Sequence, residues 1–377
     1  ADAIEKVEVI TSPSARYDAE GTAGILNIVL RKGKANGFNG SFNVKAGDPE
    51  IYGASTNLNL RKKKVNYFST LGYEYRSSPG NSSTQATYFD TQGNRSFFRN
   101  EAIINDRVNK NLNFRFGMEY YLTSKSSLTG SVLFRDSNGE YNAQNLIVEL
   151  DALQLPVRNN ERNEFEFSER NTLEFNLNFI QNFNKDGHNL KLDFKYGKNE
   201  SDNNVQINDF DTGSQQYYKN TNFSNTLDFE QNISALYTQF GNKIHKFSYL
   251  LGLRMETTDR TIQLLQSQEE FERSFTEFFP TVNLGYEITQ TESVTLGYSK
   301  RLRRPWFWFL NPFESRTSET YIMTGNINLD PTFTNSFDLG YLKRWNKFML
   351  NSSLYFQRST QNITMVQDEE MREVNGV

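Results

Sequence analysis

Two histidines, no cysteine and a scatter of carboxylates set the range of chemistry open to this chain of 377 residues. His188 and His245 stand far apart, each inside a short polar turn. A histidine-based nucleophile needs an acid and a hydroxyl within hydrogen-bond reach, and zinc needs clustered His or Cys, so neither site is expected. Asp202, Asn203, Asn204, Asp209 and Asp211 offer oxygen ligands that would suit calcium. Their spacing does not follow a calcium loop, and solvated loops commonly have this composition. The densest recognition chemistry is Arg301, Arg303 and Arg304 followed by Trp306, Phe307, Trp308 and Phe309. Guanidinium groups suit phosphate or an anionic ligand, and the rings suit stacking. The plainer reading of the same cluster is a loop folded back on the end of a strand. Arg303, Arg304, Trp306 and Trp308 are therefore the candidate binding residues. No catalytic residue, metal ligand or cofactor is expected.

The elements that would position this cluster are punctuated by six short polar turns. These are Arg61–Lys64, Thr123–Ser126, Asn184–His188, Gly241–Lys246, Thr289–Ser293 and Lys343–Lys347. Their centres are roughly 50–60 residues apart, far more than one hairpin needs. Each interval holds an outgoing strand, a long loop and a returning strand. Between the turns the residues alternate. Phe278, Pro280, Val282, Leu284, Tyr286 and Ile288 oppose Phe279, Thr281, Asn283, Gly285 and Glu287, and Leu251, Leu253 and Met255 oppose Gly252, Arg254 and Glu256. A period of two puts the sets on opposite faces of a sheet. The strands read as 37–47, 51–60, 65–76, 106–121, 127–141, 165–182, 189–200, 217–240, 246–258, 277–288, 293–302, 333–343 and 347–360, about thirteen in all, with 217–240 either one strand or a merged pair. Strands of roughly ten residues, short turns on one side and long loops on the other describe a transmembrane antiparallel β-barrel.

Composition agrees. The mean hydropathy is −0.69, and no apolar run approaches the roughly 18 residues of a spanning helix. A barrel can span lipid while looking hydrophilic, because half of each strand faces a wet interior. The 31 Phe and 19 Tyr fit a lipid-facing surface with aromatic girdles; a soluble aromatic-rich sandwich would bury them instead. A net charge of −4 gives no reason to expect a nucleic-acid partner.

The first 34 residues differ. Ile4–Ile10 reads as a short strand. A glycine-punctuated turn containing Gly21 and Gly24 follows, and then the apolar run Ile25–Leu30, typical of a strand buried on both faces. The segment IEKVEVITSPSARYDAEGTAGILNIVLRKGK resembles the end of the plug domain of TonB-dependent outer-membrane receptors. Far downstream, YSKRLRRPWFWFLNPF and GNINLDPTFTNSFDLGY resemble the barrel of the Bacteroidota-type members, with Ile327 where the pattern usually has proline.

The resemblance implies a plug end at residues 1–34 and a partial barrel at 35–377, in a family whose members close with about 22 strands. It marks Arg16, Glu20, Gly21, Gly24 and Asn27 as the plug motif. Arg16, Glu20, Arg31 and Lys32 could pair with wall residues such as Arg115, Glu119, Glu174 or Arg254. The chain then reads as a piece of a longer protein, and 201–240 looks short by a strand pair. The implied function is uptake of a nutrient (glycan, peptide or metal chelate) through a plugged barrel in the bacterial outer membrane. The alternative is a plugged barrel serving as a structural or assembly subunit. TonB, outer-membrane lipid with lipopolysaccharide, and a surface lipoprotein are the partners implied. Loops 77–105, 142–164, 201–220, 259–276 and 303–332 are where substrate contact is expected.

Overall fold

Alternating side chains give much of the main sheet one apolar and one polar face, and the backbone satisfies its own polar groups by pairing strand to strand. A computed structural model describes residues 4–10, 25–30, 37–183, 187–313 and 323–366, the first two segments as backbone. β1 (Ile4–Ile10) and β2 (Ile25–Leu30) form a separate antiparallel pair. The remaining strands form one sheet. It begins with β3 (Gly37–Gly47), β4 (Ile51–Lys62), β5 (Val65–Ser77), β6 (Gly80–Phe89), β7 (Arg95–Tyr121) and β8 (Ser126–Asp151). It continues with β9 (Pro156–Asn182), β10 (Asn189–Asp211), β11 (Gln216–Lys219), β12 (Asn225–Ile244) and β13 (Phe247–Leu264). β14 (Glu269–Thr289), β15 (Glu292–Arg303), β16 (Thr332–Arg344) and β17 (Met349–Thr360) complete it. Thirteen of these strands follow one another in chain order from β3 to β17, while β6 pairs with β7 and β11 with β10 outside that path. The one helix among the described residues is a single turn, α1 (Phe307–Leu310).

All six expected turns join consecutive strands. The expected long loops are a different matter. Residues 142–164 are hydrogen-bonded sheet that closes in the tight turn 152–155, and 259–276 is sheet apart from 265–268. Most of 77–105 and 201–220 is strand as well. Only 303–332 is chiefly irregular over its described residues, 303–313 and 323–332. The interval around 201–240 needs no extra strand pair, because β10 and β12 run in unbroken register from Asn189↔Gly241 to Val205↔Asn225. Within 217–240, β11 takes 217–219, a turn occupies 220–224, and one strand, β12, runs on from Asn225.

The polarity of the sheet is inverted relative to a water-soluble one. On the outward face, apolar pairs continue across neighbouring strands: Phe116↔Val132, Val132↔Phe175, Leu177↔Phe194, Phe194↔Leu236, Leu236↔Met255, Leu251↔Val282, Leu296↔Leu339 and Leu339↔Leu354. Leu236 on this face is 53% exposed, whereas Glu256 on the opposite face is 1% exposed. Water would drive those apolar chains inside at roughly 25 cal/mol per Å². A continuous exposed band of this extent belongs against hydrocarbon. The arrangement rules out the soluble-sandwich alternative.

Candidate functional site

Arg303 ends β15, and Pro305 biases Arg304 away from helical backbone. Trp306 is likewise extended, with φ −68° and ψ 151°, before the chain makes the single turn of α1. Pro312 stops it and leaves Asn311 extended at φ −70° and ψ 110°. The returning segment is stitched to this turn by Gly325 N–H donating to the Asn311 carbonyl at 2.7 Å and Asn326 N–H to the Phe309 carbonyl at 2.7 Å. A side chain at position 325 would drive a Cβ to 2.6 Å from the Asn311 carbonyl oxygen, so glycine is required. Asn326 then turns the chain by accepting from Asn328 N–H at 2.9 Å.

This strap lies on the inner face of β12–β14. Phe307 meets the ring of Phe229 edge-on at 5.5 Å. Leu310 is buried with Leu227, Ile262 and Leu264, and Phe313, Ile327 and Leu329 pack around them. Ile327 thus occupies an apolar niche, which gives a packing reason for isoleucine at that place. Arg260 donates to the Ile327 carbonyl at 3.3 Å, and Arg273 forms an ion pair with Asp330.

The strap's charged anchor is Arg304. It is 5% exposed, pairs with Glu256 and donates to Thr258 Oγ1 at 3.2 Å. Arg254 holds the other carboxylate oxygen of Glu256, with Nε at 2.8 Å. Two guanidinium groups therefore share one buried carboxylate, and the geometry is charge-assisted throughout. Arg303, its neighbour in sequence, is exposed. Trp306 is 63% exposed, and Trp308 stacks on Phe309 with ring centroids 3.8 Å apart.

Between the strap and the inner faces of β9, β10 and β12 is a cavity of about 580 Å³. Arg304, Trp306 and Trp308 line it, so the structure brings three of the four candidate binding residues to one place. Arg303 is not among its lining residues. The opposite wall is polar: Glu164, Ser201 and Asn203 fall in intervals where the sequence places substrate contact, whereas Glu166, Ser168, Asn199, Asn225 and Gln231 are not singled out by it. Alternation in β9, β10 and β12 marks these as inner-face positions; nothing in the pattern says which loop they meet.

The other sequence candidates disperse. His245 sits in the turn between β12 and β13 with φ 55°, and His188, in a different hairpin, lies 4.2 Å from the ring of Phe183. Asp209 is bound by Arg162 at 2.6 Å and by Asn220 at 2.7 Å, while Asp211 caps its own turn through Gly213 N–H. Asp202 projects from the opposite face of β10. Of the proposed wall charges, Arg254 is committed to Glu256, and Glu174 lies 3.8 Å from Lys195. Arg16, Glu20, Gly21, Gly24, Arg31 and Lys32 lie outside the described residues, and Asn27 falls within β2.

A family model described as the outer membrane protein beta-barrel family matches residues 123–375, more than half of the chain. Among solved structures, the siderophore receptor PiuA from Acinetobacter baumannii superposes with a TM-score of 0.51 at 14% identity. The match covers 94% of this chain and 62% of PiuA. The ferric-catecholate import receptor Fiu from K12 E. coli, in its closed form, gives a TM-score of 0.50 at 9% identity, again covering 94% and 62%. At such identities the likeness is one of fold. The chain spans about three fifths of the length of either receptor. No curated protein matches it.

Proposed function

We propose that this chain, which belongs to the outer membrane protein β-barrel family, is the plug end and much of the barrel of a TonB-dependent nutrient transporter of the Bacteroidota type. Its place is the bacterial outer membrane. Residues 1–34 are the end of the plug, and residues 35–377 form barrel wall. Nutrient enters from outside and is held beneath the strap at Trp306 and Trp308, with Arg304 fixing the strap and Arg303 at its exposed root. Energy arrives through TonB acting on a segment upstream of the part described here. Capture and passage need no covalent change in the nutrient.

One observation carries this reading: an outward face made for hydrocarbon combined with an inner face that holds a folded strap and a polar cavity. A passive pore would be better served by an open interior. The strap instead narrows the interior and builds a concave site, as a selective carrier requires. The test is uptake by cells carrying the full-length protein, with and without the TonB gene, across glycans, peptides and iron chelates. Accumulation of one class that needs both this protein and TonB supports the reading. If no nutrient shows that dependence, while loss of the protein disrupts a larger outer-membrane assembly, the scaffold alternative takes its place.

A further inference from the structure

The cavity beneath the strap has a chemistry of its own. Six uncharged side chains, Ser168, Asn199, Ser201, Asn203, Asn225 and Gln231, are spread over three adjacent strands of its wall. Asn225 is 7% exposed, and its Oδ1 is buried without a hydrogen-bond donor among the described residues. That oxygen is shut off from solvent, so the groups the wall offers a ligand are its other amides and hydroxyls, Gln231 among them. Across the cavity the strap presents Trp306 and Trp308. Their indole faces are broad apolar platforms.

Charge then narrows the choice. Glu164, Glu166 and Glu200 line the same wall, with Arg170 further along β9 and Arg304 held by Glu256. Three carboxylates oppose a polyanionic ligand such as a ferric tris-catecholate or a ferric citrate. They accept hydroxyl donors well. Amide, hydroxyl and carboxylate groups facing aromatic platforms form a surface for a ligand with many hydroxyls, weakly polar C–H faces and no net charge. The volume, about 580 Å³, lies in the range of roughly 300–1,000 Å³ usual for small-molecule sites.

We propose that this cavity binds a short neutral saccharide, with a sugar face on Trp306 or Trp308 and its hydroxyls on the amide wall at Gln231. The biological meaning rests on the transport reading above; the binding itself does not. The full-length protein, purified in detergent, is titrated calorimetrically with maltotriose, cellotriose, xylotriose and chitotriose, and separately with ferric citrate and a ferric tris-catecholate. At least one trisaccharide binds, and Trp306→Ala and Gln231→Leu each weaken it at least tenfold. Trp306 is largely exposed, so its removal leaves the fold intact and keeps the test open even if Gln231→Leu misfolds. Lack of binding by all four sugars, or sugar binding indifferent to Trp306→Ala, overturns the proposal. So does binding of the ferric chelates in preference to the sugars. TonB-dependent uptake of a ferric chelate together with absent sugar binding removes the saccharide and leaves transport standing. Sugar binding without TonB-dependent uptake of that sugar does the reverse.

Discussion

Glu256 is the residue on which the strap's electrostatics turn, since its carboxylate is shared between Arg254 and Arg304 and is 1% exposed. Replacing one member of a buried ion pair leaves charge in a poor solvent, at about 3–5 kcal/mol. Glu256→Gln should therefore lower stability by roughly that amount in denaturant unfolding in detergent, and should open the strap to limited proteolysis. Glu256→Asp, which keeps the charge, should be milder. Asp202 presents the opposite case. It lies beyond the apolar band on the outward side of β10, past Lys198, with Glu169 and Asp228 directly across on its two neighbouring strands. Burial, then the charges of Asp228, Glu169 and Glu200, push its carboxyl above the ordinary range. An acid whose pKa rises on folding binds its proton more tightly in the native state. The native state is thus disfavoured when Asp202 is ionised and recovers as pH falls into the carboxylate range. Asp202→Asn should raise the thermal midpoint at neutral pH, and the gain should vanish near pH 3, about where free carboxylates are protonated.

At the scale of elements, the strap depends on one close approach. Gly325→Ala would push a methyl group into the Phe309 and Asn311 carbonyls, which are backbone and cannot swing aside. A cost of about 1–3 kcal/mol is expected for such overpacking. Protease cleavage within 304–331, with the barrel hairpins still resistant, would show that the damage is local. Much of the element plan was legible, because period-two alternation against lipid and polar turn residues are local signals. Leu251, Leu253 and Met255 opposite Arg254 and Glu256 could be assigned to faces from sequence alone. The outer halves of β8 and β9 could not. There Asn142, Asn145, Asn159 and Asn160 carry no apolar rhythm, and ladder hydrogen bonds with neighbouring strands hold the sheet without one. The aromatic cluster at 306–309 was visible as a candidate site. Which wall it would face was not, because the Arg304–Glu256 anchor joins residues 48 apart in sequence and Ile327 finds its niche only after the loop has returned.

For the whole molecule, the decisive quantity is which solvent meets the outward face. Phe116 is 46% exposed and pairs with Val132 across the strand, and Phe175 extends the row. In water, Phe116→Lys would replace an exposed ring with a solvated charge, and such surface changes usually stay within about 0.5 kcal/mol. In a bilayer the same change sets an ammonium against hydrocarbon, at roughly 2–4 kcal/mol near the midplane and less near the interfaces. Its neighbour Arg115 is also exposed but points to the other face, so Arg115→Gln should have little effect in either solvent. The pair therefore separates the two environments within one strand. Folding of the full-length protein into lipid vesicles, followed by denaturant titration, should show a large loss for Phe116→Lys and almost none for Arg115→Gln. Equal and small losses would mean that water reaches Phe116. The apolar band across β7–β9 would then be a protein-binding surface and not a membrane face.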